Sequence, residues 1–243
     1  MRVPRVHVGE AIGQRRELWL DGDASNYVQR VLRLRAGDEL TVFDGGGGEH
    51  AARIDSFERG VVRITLDAAR SVERESPLAI TLWQAPCRGD RMDHVIEKAT
   101  ELGVSRIVPW IATRAVVRLE GQRAEQRRAH WQAVARSACE QSGRNRVPEI
   151  EVPQSLADLI AHCPPGALKL ALRPDATARL ADLRVQPTAA VIAVGPEGGM
   201  THEEETMLEH ARFQSLSLGP RILRADTAGA ACIATLQALW GDG

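Results

Sequence analysis

Six consecutive apolar residues, Ala189–Val194, run straight into Gly195-Pro196-Glu197-Gly198-Gly199 and then into Thr201-His202-Glu203-Glu204. The apolar run reads as a strand. Thr201 followed three residues later by Glu204 is a capping box, which starts a helix. Glycines at the C-terminal end of a strand let a ligand approach backbone amides, and open α/β sheets bind ligands at that edge. The same glycines also suit a tight turn that needs positive φ. On spacing alone both readings stay open. The turn is not G-x-G-x-x-G, and no acidic residue follows a second strand at the dinucleotide spacing, which disfavours an NAD site.

Around this junction the chain divides in two. In the first part Leu40 and Val42, Ala52 and Ile54, then Val62, Ile64 and Leu66 alternate at period two, as half-buried strands do. Asp44 and the four glycines after it read as a hairpin connection; no Gly-Lys-Ser/Thr follows them, so a phosphate loop is set aside. Ser25 is the expected N-cap of a short helix whose Val28, Val31 and Leu32 share a face. Residues 71–77 are polar and end in proline, which gives a linker and the domains 1–71 and 72–243. Beyond it strands (79–84, 105–110, 168–172, 189–194, 214–218) alternate with helices (90–102, 122–141, 226–240), the pattern of an α/β domain.

Composition narrows the class. No apolar run approaches the roughly 20 residues of a membrane span, and the opening MRVPRVHV lacks the apolar core of an export signal. Cys87, Cys139, Cys163 and Cys232 form no CxxC pair, and the histidines show no metal-ligand spacing, so neither a disulfide framework nor a metal is expected and a cytoplasmic location fits. His202-Glu203 lacks the second histidine of HExxH. Net charge is −1, with a positive excess in residues 72–150 and a negative one in 151–243.

Two further segments carry chemistry. Leu218-Gly219-Pro220-Arg221-Ile222-Leu223-Arg224 repeats the strand-to-turn pattern before a helix expected to be capped by Asp226 or Thr227. Its apolar pair Ile222 and Leu223 suits burial against a flat ring, or simple packing on the core. Arg144-Asn145-Arg146 in a loop, with Arg88 and Arg91 at an earlier helix start, are side chains that grip phosphates and base edges; a solvated charge cluster is the plainer alternative.

The segments GPEGG at 195–199, LGPRILRADTA at 218–228, RGDRMDHVIEKATELGV at 88–104 and QSGRNRVPEI at 141–150, with the MRVPR start and RVLR at 30–33, resemble the ribosomal RNA small subunit methyltransferase E family of the SPOUT superfamily. That resemblance covers essentially the whole chain. It implies an N-terminal PUA-like β-barrel and a C-terminal α/β domain with a deep trefoil knot. It also implies a homodimer, S-adenosylmethionine as cofactor, and methylation of N3 of a uridine in 16S ribosomal RNA near the decoding centre. Carried over by motif, the cofactor pocket comprises Leu172, Gly195, Pro196, Glu197, Gly198, Gly199, Leu218, Gly219, Arg221, Ile222 and Leu223. The family commonly reads R-T-E-T where this sequence has Arg224-Ala225-Asp226-Thr227.

Uracil N3 must lose a proton before it attacks a methyl group. Arg224 is the expected stabiliser of the resulting anion, with Arg144 or Arg146 of the partner subunit as alternatives; Glu197 is the expected proton acceptor or loop-orienting group. Arg5, Arg30 and Arg33 of the barrel, with Arg88, Arg91, Arg144, Asn145 and Arg146, are the expected RNA contacts. The alternative is a related enzyme that acts on transfer RNA or on a ribose 2′-OH.

Overall fold

Period-two burial shapes the N-terminal strands. The computed structural model describes residues 3–117, 119–183 and 185–243; Met1 and Arg2 of the MRVPR segment lie outside them. Strands β1 (Arg5–His7), β2 (Glu17–Leu20), β3 (Glu39–Phe43), β4 (Glu49–Glu58) and β5 (Val61–Arg70) form one sheet, ordered β1-β3-β4-β5-β2, with α1 (Gly22–Asn26) inserted after β2. Only β1 and β3 pair in parallel. Every residue of the expected alternation, from Leu40 to Leu66, is buried in one cluster with Val6, Val28 and Leu18. The glycine run joins β3 to β4 as a hairpin, with Asp44 accepting from the Gly46 amide (2.9 Å) and the Ile12 amide (3.0 Å).

Ser25 does not cap the short helix. Asp21 occupies that place, Ser25 lies inside α1 and is buried, and its hydroxyl donates to the Gly60 carbonyl. The chain then continues as a π-turn over Tyr27–Val31, which rotates Val31 outward to 66 % exposure instead of placing it beside Val28.

The first compact unit ends at Glu75 and includes Arg136–Val147. This boundary falls within the polar linker expected at 71–77, most of which is bonded within the first unit. The Asn145 amide donates to the Val72 carbonyl (2.9 Å), and the Arg144 guanidinium forms an ion pair with Glu75.

The second unit, Ser76–Ala135 with Pro148–Gly243, is α/β. Its strands are β6 (Ala79–Gln84), β7 (Arg106–Ile111), β8 (Glu149–Ile150), β9 (Gln154–Ser155), β10 (Leu168–Leu172), β11 (Ala189–Val194) and β12 (Gln214–Leu216). They run in the order β12-β10-β11-β6-β7-β8, with β9 also on β7, and all pairs are parallel. Helices α2 (Arg91–Glu101), α3 (Gly121–Ser142), α4 (Leu156–Ala161), α5 (His202–His210) and α6 (Ala225–Trp240) complete the chain; the C-terminal end of α3 belongs to the first unit.

A parallel sheet covered on both faces needs strands without polar alternation, and β11 is such a strand. On one face Val191 and Ala193 pack with Trp83, Trp110, Leu156 and Leu159 of α4, Leu208 of α5 and Phe213. On the other lies α6, which approaches closely at Gly229: a Cβ there would stand 3.3 Å from Leu82. No helix among the described residues is long and apolar enough to cross a membrane.

Candidate active site

Three loops leave the C-terminal ends of the adjacent strands β10, β11 and β12 and meet around one cavity of about 690 Å³. The first supplies Leu172, Arg173 and Asp175, the second Gly195, Pro196, Glu197 and Gly199, the third Leu218, Arg221, Ile222 and Leu223. Arg224, Asp226 and Arg91 also line it. Of the cofactor residues expected from sequence, only Gly198 and Gly219 are not on its wall.

Local physics explains the second loop. A Cβ on Gly195 would come within 2.8 Å of Met200 Cγ, so the turn as it stands is packed around a glycine. Gly199 has φ +74°, the left-handed region that glycine enters without steric cost. The Thr201 hydroxyl then accepts from the Glu204 amide (3.2 Å), and the Glu204 carboxylate accepts from the Thr201 amide (2.7 Å), so the expected capping box forms.

The third loop differs from expectation at two points. The cap of α6 is Arg224, in extended conformation, and its carbonyl accepts from the Thr227 and Ala228 amides. Asp226 lies in the first turn, where its charge opposes the positive helix end. Its carboxylate is 3.8 Å from Arg91 Nε, whose guanidinium also stands 3.7 Å from Glu197. Ile222 is 81 % exposed, so the burial expected of it does not occur within one chain.

Charge pairing separates the arginines of the cavity. Arg173 contacts Asp175 (2.8 Å) and Glu205 (3.2 Å), and Arg91 faces Glu197 and Asp226. Arg221 and Arg224 have no carboxylate within ion-pair distance among the described residues, which leaves two cations on the rim free for a ligand. Cys87 is no nucleophile: burial first, then the negative charges of Glu197 and Asp226, push its thiol up to about 12. No cluster of His, Cys, Asp or Glu among the described residues could hold a metal ion.

Apart from Arg88, the remaining expected contacts lie in the first unit, and the fold removes three of them from the surface. Arg5 is buried and donates to Glu49 and to the Asn145 side chain; Asn145 is fully buried; Arg144 is buried in its ion pair with Glu75. Releasing any of them to an RNA would leave a buried charge or amide unpaired, at a cost of several kcal/mol for the ion pairs. Arg146 is exposed, 3.5 Å from Glu73. Arg30 and Arg33 are exposed and carry no ion pair among the described residues; Arg88, in the second unit, is exposed too. Glu205 and Met200 line the cavity without having been expected: each is a single residue in a loop or helix, with no spacing signal of its own.

A family model for an RNA methyltransferase domain matches residues 74–237, and one for an RNA methyltransferase PUA domain matches residues 20–64. Ribosomal RNA small subunit methyltransferase E of Mycobacterium bovis is 32% identical over 225 residues, 90% of this chain and 86% of that one. The protein of that name from Synechocystis is 34% identical over 88% of this chain and 70% of its own. Among solved structures, the Neisseria gonorrhoeae protein of the same name, bound to S-adenosyl methionine, superposes with TM-score 0.91 at 38% identity over 99% of both chains. A Legionella pneumophila protein in complex with the same cofactor reaches TM-score 0.95 at 35% identity over 100% of both.

Proposed function

Because this chain belongs to the ribosomal RNA small subunit methyltransferase E family, we propose that it transfers a methyl group from S-adenosylmethionine to N3 of one uridine in the 16S RNA of the small ribosomal subunit. The observation that carries this reading is the cavity at the ends of β10, β11 and β12, built from the segments that resemble the family and rimmed by two unpaired arginines.

The residues present fit the cofactor. The cavity volume of about 690 Å³ lies within the range of small-molecule sites. Leu172, Val194, Leu218 and Leu223 offer an apolar surface to a flat ring, and the backbone of the two glycine-bearing loops offers hydrogen bonds at its edge. Gly195 lets the loop fold closely onto Met200, which also lines the cavity. Asp175, Glu197, Glu205 and Asp226 are matched on the wall by Arg91, Arg173, Arg221 and Arg224, so no excess of either charge repels a zwitterionic ligand. When bound, S-adenosylmethionine supplies an electrophilic methyl group on a sulfonium.

The chain's own residues then orient the acceptor, exclude water and manage one proton. The loss of the N3 proton leaves a negative charge shared with the neighbouring carbonyl oxygens. Arg224, launched from the N-terminus of α6 and free of any carboxylate, stabilises that charge. Glu197, exposed on the second loop, accepts the proton, and Arg91 at 3.7 Å orients it. Arg30, Arg33 and Arg88 hold phosphates outside the cavity, and Arg146 is available once it leaves Glu73. The high thiol pKa of Cys87 argues against covalent attack on the base by a thiolate.

Family membership also supports a trefoil knot in the second unit, a β-barrel in the first and a homodimer. The exposure of Ile222 (81 %) is what an apolar side chain awaiting a second copy looks like. We place the enzyme in the cytoplasm, where its substrate is assembled.

The test is transfer of labelled methyl from S-adenosylmethionine to unmodified small subunits, followed by nucleoside digestion and mass spectrometry. N3-methyluridine at a single position is expected. Label in ribose, or in transfer RNA and not in the subunit, overturns the acceptor assignment and leaves the methyl transfer.

A further inference from the structure

The second cofactor loop is held from outside the cavity by one short segment, Trp110–Arg114, at and just beyond the end of β7. One strand separates the positions involved, since β7 pairs with β6 and β6 with β11. The buried Trp110 indole donates to the Val194 carbonyl (2.9 Å), the last residue before Gly195. The Thr113 amide donates to Glu204 Oε1 (2.7 Å), while Oε2 of the same carboxylate takes the Thr201 amide. Between these anchors Arg114 Nη1 donates to the Gly198 carbonyl (3.3 Å) and the Met200 carbonyl (3.2 Å). The loop is thus tied at its entrance, its middle and its exit.

Arg114 is the informative member. Trp110 is fully buried, and Glu204 nearly so, and both are needed for packing or capping. Arg114 is exposed, is not in the cavity wall, and has no carboxylate partner among the described residues. Its fit is close: a Cβ on Gly198 would stand 3.3 Å from Arg114 Cβ, so glycine at 198 lets the arginine lie against the loop. An exposed side chain that spends its donors on two backbone carbonyls of a glycine-rich loop limits the conformations that loop samples. Loops with left-handed glycines lose the most entropy when a ligand orders them.

We propose that Arg114 is a positioning residue that presets the Gly195–Met200 loop for S-adenosylmethionine, with Glu204 as its fixed counterpart at the helix start. The proposal rests on the cofactor reading above for its ligand, and on the free protein for its geometry. Arg114 touches no reacting atom; it acts through the loop.

Two measurements on the full-length protein without RNA test it. Hydrogen exchange of peptides spanning 195–201 is compared between wild type and Arg114→Ala with no ligand present; faster exchange in the variant, confined to that segment, is expected. Calorimetric titration with S-adenosylmethionine should show Kd weakened about tenfold in Arg114→Ala, as a loop that keeps its binding form only about a tenth of the time would give. Arg114→Lys, which keeps a cation that reaches one carbonyl, should recover part of that loss. Thermal unfolding should stay close to wild type, because the side chain is exposed. Unchanged exchange and unchanged Kd would overturn the proposal. So would an unchanged Kd with a reduced kcat on small subunits, since that assigns Arg114 to the RNA. A wild type that fails to methylate small subunits counts against the acceptor reading and leaves both of these readouts intact. Should wild type bind no S-adenosylmethionine, the exchange comparison alone decides.

Discussion

In the proposed mechanism Arg224 supplies a positive charge at one place, and no carboxylate among the described residues pairs with it. Arg224→Ala should lower kcat about 100-fold, the scale of removing one donor to a developing anion, while the S-adenosylmethionine Kd stays nearly unchanged. Steady-state kinetics with small subunits, paired with calorimetry, separates the two. A large loss of cofactor affinity with normal turnover at saturation would assign Arg224 to the cofactor instead. In the first unit, Glu140 and Glu49 show how burial and pairing divide acids. Burial of Glu140 raises its pKa above the usual carboxylate range, and the His7 amide bond and the charges of Arg136 and Arg5 only partly offset this. A carboxyl with a raised folded pKa stabilises the fold below its unfolded pKa, and that contribution is lost as pH rises through the folded value. Glu140→Gln should therefore raise Tm at pH 7 by a few degrees, and the gain should vanish below about pH 4, where wild type is protonated too. Glu49 is the reverse case. Burial works against its charge, but hydrogen bonds from Arg5 and Arg74 outweigh it and hold the pKa below the usual range. Its stabilisation is present above the unfolded pKa and lost as pH falls through the folded one.

Elements decide where the loops stand. β10, β11 and β12 are adjacent and parallel, so their C-terminal ends lie together and three sequence-distant loops share one cavity. The second loop depends on a close turn at Gly195. Gly195→Ala places a methyl group within 2.8 Å of Met200 Cγ, so Met200 or the turn must shift. Its S-adenosylmethionine Kd should weaken at least about tenfold by calorimetry, on the scale of the 1–3 kcal/mol that overpacking costs. An affinity within twofold of wild type would show that the turn tolerates the methyl. Helix α6 is equally constrained, because Gly229 lets it lie against Leu82 of β6. Gly229→Val should lower Tm by several degrees through overpacking, whereas an exposed change such as Thr235→Ala on the same helix should have little effect.

For the whole molecule the predictions concern assembly and RNA. Sedimentation or light scattering should give twice the mass of 26.5 kDa for the wild type. Ile222→Asp should shift it toward a monomer if that exposed side chain enters the contact; an unchanged dimer would place the contact elsewhere. RNA affinity should fall steeply with salt, and the slope should decrease when Arg30 and Arg33 are both replaced by alanine, as loss of phosphate contacts requires.

The sequence by itself determined most of the longer strands and the loops that line the cavity. Buried period-two residues from Leu40 to Leu66, the uninterrupted Ala189–Val194, and the Thr201–Glu204 capping box are local patterns with local physical causes, and the structure reproduces them. Ser25, and Asp226 or Thr227, fit the cap pattern without being caps, because many polar residues near a helix start satisfy it equally well. The burial of Arg5, Arg144 and Asn145, expected as RNA contacts, is illegible in the sequence for another reason. Whether an arginine is free or paired depends on partners about 45 to 140 positions away, such as Glu49, Glu75 and Arg5. The Trp110–Arg114 brace is of the same kind, formed with residues about 85 to 90 positions away. Only the tertiary structure decides such contacts, because charge and hydrogen-bonding capacity are written in the residue and their satisfaction is written in the packing.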